Sequence, residues 1–73
     1  MVEIQIYSEP ITLGQFVKFL GLVYSGGEVK KFLEENNIFV NEILENRRGK
    51  KLFSGDFVQI NEQKYVLTLN NDH

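Results

Sequence analysis

The 73-residue chain contains no cysteine, a single proline, and one histidine, which is its last residue, His73. Without cysteine there is no disulfide scaffold, no thiol nucleophile, no zinc finger and no Cys/His metal cluster. Without an internal histidine, the commonest general acid–base group is missing. Lack of thiols also fits a cytoplasmic protein. Long apolar runs are absent too: the longest, Phe19 to Tyr24, falls far short of the roughly 18 residues that a membrane span needs. The opening MVEIQIYSEP has neither a basic n-region nor an apolar h-region, so it is not expected to be a signal peptide. Thr12, Ser25 and Ser54 have no histidine or lysine placed to activate them, and the acidic residues lack metal-ligand spacing. Gly26-Gly27 is not a Walker-type loop, because no strand precedes it and no Lys-Ser/Thr follows. No enzymatic activity, cofactor, metal or small-molecule substrate is therefore expected.

The residues present are those of a folded domain: 42% are hydrophobic, 25% are charged, and six Phe and three Tyr are included. A chain of about 60 residues buries only roughly 60% of its unfolded surface, so stability has little margin. No repeat or linker divides the chain. It reads as one module over residues 1–69, followed by a polar tail at 70–73.

Residues 2–7 alternate, with Val2, Ile4 and Ile6 on one side and Glu3 and Gln5 on the other, which predicts a strand that Glu9-Pro10 ends. Thr12 stands three before Gln15 in a capping-box spacing, and Leu13, Phe16, Val17 and Leu20 form the apolar stripe of a first helix. Gly21 is placed to close it in the left-handed conformation. A second capping box, Ser25 with Glu28, opens a helix whose buried face is Val29, Phe32 and Leu33. Asn36-Asn37 is expected to close that helix in the left-handed conformation. Strands then follow at 38–40 and near Ile43-Leu44, with Asn41-Glu42 as the turn. Ser54-Gly55-Asp56 is a turn, and 57–60 pairs with 65–69 across Asn61 to Lys64 as a hairpin. The fold class is α+β in the order β-α-α-β-β-β-β, with two adjacent helices on a small, mostly antiparallel sheet.

The net charge of −2 conceals an uneven distribution. Residues 1–29 sum to −2 (one basic, three acidic), residues 30–51 to +2 (six basic, four acidic) and residues 52–73 to −2 (one basic, three acidic). Within the middle third, Arg47, Arg48, Lys50 and Lys51 give NRRGKK, residues 46–51, four positive charges and no negative one. Such a patch releases counterions from a polyanion and presents bidentate donors to phosphate oxygens, with Gly49 letting both pairs face one ligand. The commoner reading of an isolated basic run is a solvated loop that helps solubility. On the second helix, Lys30 flanks the apolar stripe and Lys31 points nearly opposite. Pairing with Glu34 and Glu35 at i,i+4 is their structural reading. Gly26 and Gly27 weaken the first turn but leave bare amides that an anion can approach, or else they permit close helix packing. Phe16, Phe32, Phe39 and Phe57 fit helix stripes and strands. Phe19 and Phe53 fit neither; core burial is expected for them, with an exposed stacking role the alternative.

Residues 11 to 60 resemble the S4 RNA-binding domain, or αL motif. The resemblance rests on Leu13-x-x-Phe16 opening the first helix and Ser25-x-x-Glu28 the second. It rests also on Ile38-Phe39-Val40-Asn41-Glu42 in place of V-x-V-N-G, and on Ser54-Gly55-Asp56-Phe57-Val58 in place of P-G-D-x-[VI]. ITLGQF, SGG and ENRRGKKL are similar to the small stand-alone bacterial members, the YaaA/YbcJ-like group. The resemblance implies a non-catalytic protein that binds structured RNA, with ribosomal RNA or ribosome assembly as the setting. It implies an RNA surface made of Ser25, Gly26, Gly27, Lys30 and Lys31 on the second helix and Arg47, Arg48, Lys50 and Lys51 on the loop. Two departures stand out. Gly26 replaces the usual arginine after the serine, and Glu42 replaces a glycine near the binding edge. A monomer with no membrane partner is expected. The rival reading is a protein-interaction module within a ribosome- or nucleic-acid-associated complex. A β-grasp sulfur carrier would need a C-terminal Gly-Gly, where this chain ends Asn-Asp-His.

Overall fold

The computed structural model describes residues 1–70. Strand β1 (Val2–Ile6) leads through a two-residue strand β2 (Ile11–Thr12) into helices α1 (Leu13–Phe19) and α2 (Gly26–Glu35). Then come β3 (Ile38–Val40), β4 (Ile43–Leu44), β5 (Lys51–Leu52), β6 (Phe57–Ile60) and β7 (Gln63–Leu69). Five strands form one sheet in the order β1-β7-β6-β3-β4, antiparallel except where β1 runs parallel to β7. The α+β class and the two adjacent helices are as the sequence predicts. The separate β2-β5 pair, Ile11 opposite Leu52 and Thr12 opposite Lys51, is additional.

One face of the sheet carries the core. Ile38, Val40, Val58, Ile60 and Leu67 meet Leu13, Phe16 and Val17 of α1 and Val29 and Leu33 of α2, with Leu52 of β5 fully enclosed. The Phe16 ring stands edge-on to Tyr65 at 5.8 Å. Phe57 and Gln59 alternate with Val58 and Ile60 and so lie on the other face, where Phe57 is exposed. Phe19 and Phe53 are exposed as well, which overturns the expectation that they are buried. Both lie at the end of an element, outside any face that packs.

Helix ends follow the sequence at α1 and depart from it at α2. At α1, Gly21 has φ +78°. Its N–H donates to the Lys18 carbonyl while that of Leu22 reaches back to Val17, the two bonds of a Schellman motif. At α2, Asn36 is extended (φ −124°) and not left-handed. Its side-chain amide instead donates to the Phe32 carbonyl, and it accepts from Asn61, whose own φ is +54°. Asn41 and Glu42, with φ of +50° and +71°, make the two-residue hairpin between β3 and β4. The Asn41 side chain then accepts from the Phe57 N–H and donates to Asp56, so the Asn and Gly-Asp motifs meet in space. Asn70, assigned by sequence to the tail, donates its N–H to the Ile6 carbonyl and extends the β1–β7 contact. The rest of that tail, including His73, lies outside the described residues.

Candidate nucleic-acid interface

The basic run folds against the start of α1. Thr12 and Gln15 form the full capping box, which uses the Gln15 amide. The two preceding amides are taken by the loop: Leu13 N–H donates to the Lys50 carbonyl at 2.8 Å and Gly14 N–H to the Arg48 carbonyl at 2.9 Å. With Lys51 paired to Thr12 in β5, the backbone from 48 to 51 is fixed at three points. Gly14 makes this docking possible. A Cβ there would lie 3.3 Å from Val29 Cγ1, tighter than side chains normally pack, and 3.4 Å from the Arg48 carbonyl oxygen, at the limit of ordinary contact. The loop is thus ordered by helix amides that would otherwise lack acceptors.

Its two arginines take different courses. Arg47 turns back on Glu45, with Nε–Oε2 at 2.9 Å, Nη2–Oε1 at 3.0 Å and its backbone N–H also donating to Oε2. Glu45 is largely enclosed, at 10% side-chain exposure, whereas Arg47 remains 72% exposed. The Arg47 side-chain bonds hold the Glu45 carboxyl at about 2, against the pull of burial; the Arg47 backbone bond and the Arg47 and Lys50 charges act in the same direction. Arg47 is therefore not a free cation. A window drawn at 46–51 counts four unopposed charges because it begins one residue after Glu45. Arg48 crosses to the other helix, where Nη1 donates to the Gly26 carbonyl at 3.2 Å.

Around Gly26 the sequence expectation needs correcting. Ser25 does not cap α2: the Glu28 N–H bonds the Ser25 carbonyl, and the Ser25 hydroxyl instead donates to Glu28 Oε1 at 3.0 Å. The Tyr24 N–H donates to the same carboxylate oxygen. Among the described residues no acceptor meets the Gly26 and Gly27 amides. Glu28 also brings a negative charge to this helix end, and the Arg48 guanidinium brings a positive one to the Gly26 carbonyl.

Of the nine residues the sequence singles out, Gly26 and Arg48 are in contact, and Arg47, Lys50 and Lys51 line one recess together with Gly49 and Phe53. Lys30 and Lys31 are exposed, and among the described residues neither reaches Glu34 or Glu35; the only ion pair is Arg47–Glu45. Lys31 shares a hollow with Glu28, Phe32 and Glu35, away from the loop. Sequence reasoning missed Glu45 and the span from Arg48 to Gly26, 22 residues apart, for which no local spacing exists.

The family model described as the S4 domain matches residues 4–68. The chain belongs to the S4 domain family. The match takes in β1 and β7 as well as the helices and the basic loop. Among curated proteins, this S4 chain is similar to the "Probable ribosome maturation protein RlbA" of Bacillus subtilis (strain 168), at 51% identity over 57 residues. That alignment covers 78% of this chain and 80% of the relative. In this S4 domain the guanidinium beside the start of α2 comes from Arg48 on the loop, and position 26 is glycine. No helix among the described residues is long and apolar enough to cross a membrane.

Proposed function

We propose that this S4 protein is a non-catalytic, monomeric, cytoplasmic RNA-binding protein that acts in ribosome maturation on structured RNA. Its whole described length serves as a single binding module. Arg48, Lys50 and Lys51 contact phosphates, and the Ser25–Gly27 turn and Lys30 receive the adjoining backbone. Arg47 clamps the loop through Glu45 and offers its outer edge. The observation that carries this reading is the docking of the loop on α1: three cations of one segment stand on a backbone fixed before any ligand arrives. Preorganisation lowers the ordering cost of binding. Membership of the S4 family and similarity to a ribosome maturation protein support the choice of RNA.

Contacts of this kind recognise backbone shape more than base sequence. With three to four phosphates engaged, log affinity falls against log salt with a slope near −3. Replacing Arg48, Lys50 and Lys51 together by glutamate abolishes retention of ribosomal RNA while leaving Tm within a few degrees, because their side chains lie outside the core. Binding that ignores salt, or that survives the triple reversal, refutes the reading. A second reading, docking to a protein partner, is favoured by one observation: Met1, Phe39 and Phe57 line an open groove on the outer face of the sheet. The same triple variant would leave that complex intact.

A further inference from the structure

Phe53 is 46% exposed, and every other side chain lining its recess is cationic: Arg47, Lys50 and Lys51, with Gly49 between them. Phe53 is not among the partly buried residues that pack on the core, and the side chains beside it are cations. Its position is nonetheless fixed. Leu52 beside it is fully buried and paired with Ile11 in the β2-β5 ladder. The Phe53 N–H donates to Asp56 Oδ2 at 2.8 Å, its carbonyl accepts from the Asp56 N–H, and the next amide, Ser54 N–H, donates to Glu9 Oε2 at 2.7 Å. The backbone that carries the ring is thus tied at three points, which lowers the ordering cost of engaging it.

The other exposed aromatics lack this setting. Phe19 shares its hollow with Tyr7, Pro10, Ile11 and Gln15, with no cation among the lining residues. Tyr24, 86% exposed, adjoins the Glu28 carboxylate. Phe57, 48% exposed, shares its groove on the sheet with one cation, Lys64, and one acid, Glu42. Among the described residues, Phe53 is the exposed aromatic whose recess holds several cations and no acid.

We propose that Phe53 is a stacking platform for one unpaired base of the bound RNA, whose flanking phosphates lie on Lys50 and Lys51. The inference rests on the RNA reading and sharpens it. A continuous duplex keeps its base faces inside the stack, so the platform works only on RNA with a bulged or looped nucleotide beside the helix. Stacking of a base on an aromatic side chain is insensitive to base identity. The preference is therefore for an unpaired nucleotide of any kind.

The test uses two RNA hairpins of equal stem, one with a single bulged nucleotide replaced by fluorescent 2-aminopurine and one fully paired. The wild-type protein should prefer the bulged hairpin about 10-fold and quench its fluorescence. Phe53→Ala should lose both the preference and the quenching while keeping wild-type affinity and salt slope on the paired hairpin. Phe53→Trp should retain both. Phe53→Leu, which keeps apolar bulk without a π face, should behave as the alanine variant and controls for folding. Equal binding of the two hairpins by the wild type, or a Phe53→Ala variant that keeps the preference, overturns the platform and leaves the phosphate contacts standing. A wild type that binds neither hairpin overturns the RNA reading itself.

Discussion

The two helices begin a few ångströms from the same loop, yet one start is sealed and the other open. At α1, the capping box and two loop carbonyls consume the first three amides. At α2, two glycines stand where acceptors are missing, Ser25 makes no cap, and the neighbouring groups are one carboxylate and one guanidinium. A sealed start is a structural joint; an open one retains unsatisfied donors at the positive end of a dipole. The molecule thus uses α1 to hold the basic loop and leaves α2 available. The adjacent arginines divide in the same way, Arg47 closing on Glu45 and Arg48 reaching to the open end.

Breaking the sealed side should have the largest effect. Gly14→Val places branched methyl groups where even a Cβ lies 3.3 Å from Val29 and 3.4 Å from the Arg48 carbonyl. Overpacking of this kind costs about 1–3 kcal/mol, or a Tm loss of about 4–8 °C per kcal/mol in a domain of this size. The affinity for RNA should fall with it, because Arg48 is displaced from Gly26. A Gly14→Val protein with unaltered Tm would mean that the loop does not rest on α1. Thr12→Ala tests the same joint more gently. It removes one half of the capping box and should cost about 1 kcal/mol, read as a lower urea midpoint with an unchanged slope.

Acid should loosen the loop from its other side. The Glu45 carboxyl is held at about 2 in the folded protein against an ordinary 4.5. A depressed carboxyl contributes stability that is complete above its unfolded value and fades as pH falls through the folded one. The Arg47–Glu45 contribution should therefore be intact at neutral pH and decline between about 4.5 and about 2. The effect should be smaller than that of Thr12→Ala, since Arg47 is 72% exposed and water screens the pair. Melting curves at successively lower pH check this: Glu45→Gln should flatten the dependence in that window, and a wild-type-like slope in the variant would assign it to other carboxylates.

The parts of this design that were legible in the sequence are those with a repeat. Leu13, Phe16 and Val17 specify α1, Val29 and Leu33 specify α2, and alternation specifies β6, including the outward course of Phe57 opposite Val58. The S4 resemblance was legible because its turn residues keep fixed offsets, and the structure shows why: Asn41 bonds Asp56 and Phe57 directly. Two-residue strands have no periodicity: β4 was legible only through the Asn41-Glu42 turn that joins it to β3, and β2 and β5, which pair residues as distant in the chain as Ile11 and Leu52 without such a turn, left no trace. Glu45 and Arg47 are two apart in irregular backbone, where no helix or strand rule makes neighbours of them. Arg48 and Gly26 are joined only by the fold. The basic loop could be found from composition, and Phe53 stood out as off the core patterns, but the docking of the loop, its internal neutralisation and the exposure of Phe53 beside it depend on tertiary contacts.

The smallest expected effect is the most pointed test of the comparison, because Ser25 and Thr12 look alike in sequence: each stands three before a residue that can complete a capping box. In the fold they differ. Thr12 Oγ1 accepts the Gln15 N–H, while the Ser25 hydroxyl donates to the Glu28 side chain and takes no backbone amide. The Glu28 N–H is satisfied by the Ser25 carbonyl, which alanine would keep. Ser25→Ala should therefore forfeit one exposed side-chain bond, worth about 0.5 kcal/mol at the low end of the usual range, against about 1 kcal/mol for Thr12→Ala. Parallel urea denaturation of the two variants measures the difference. Equal losses would show Ser25 capping α2 in solution, and a capped start would take up the amide donors on which the contrast between the two helices depends.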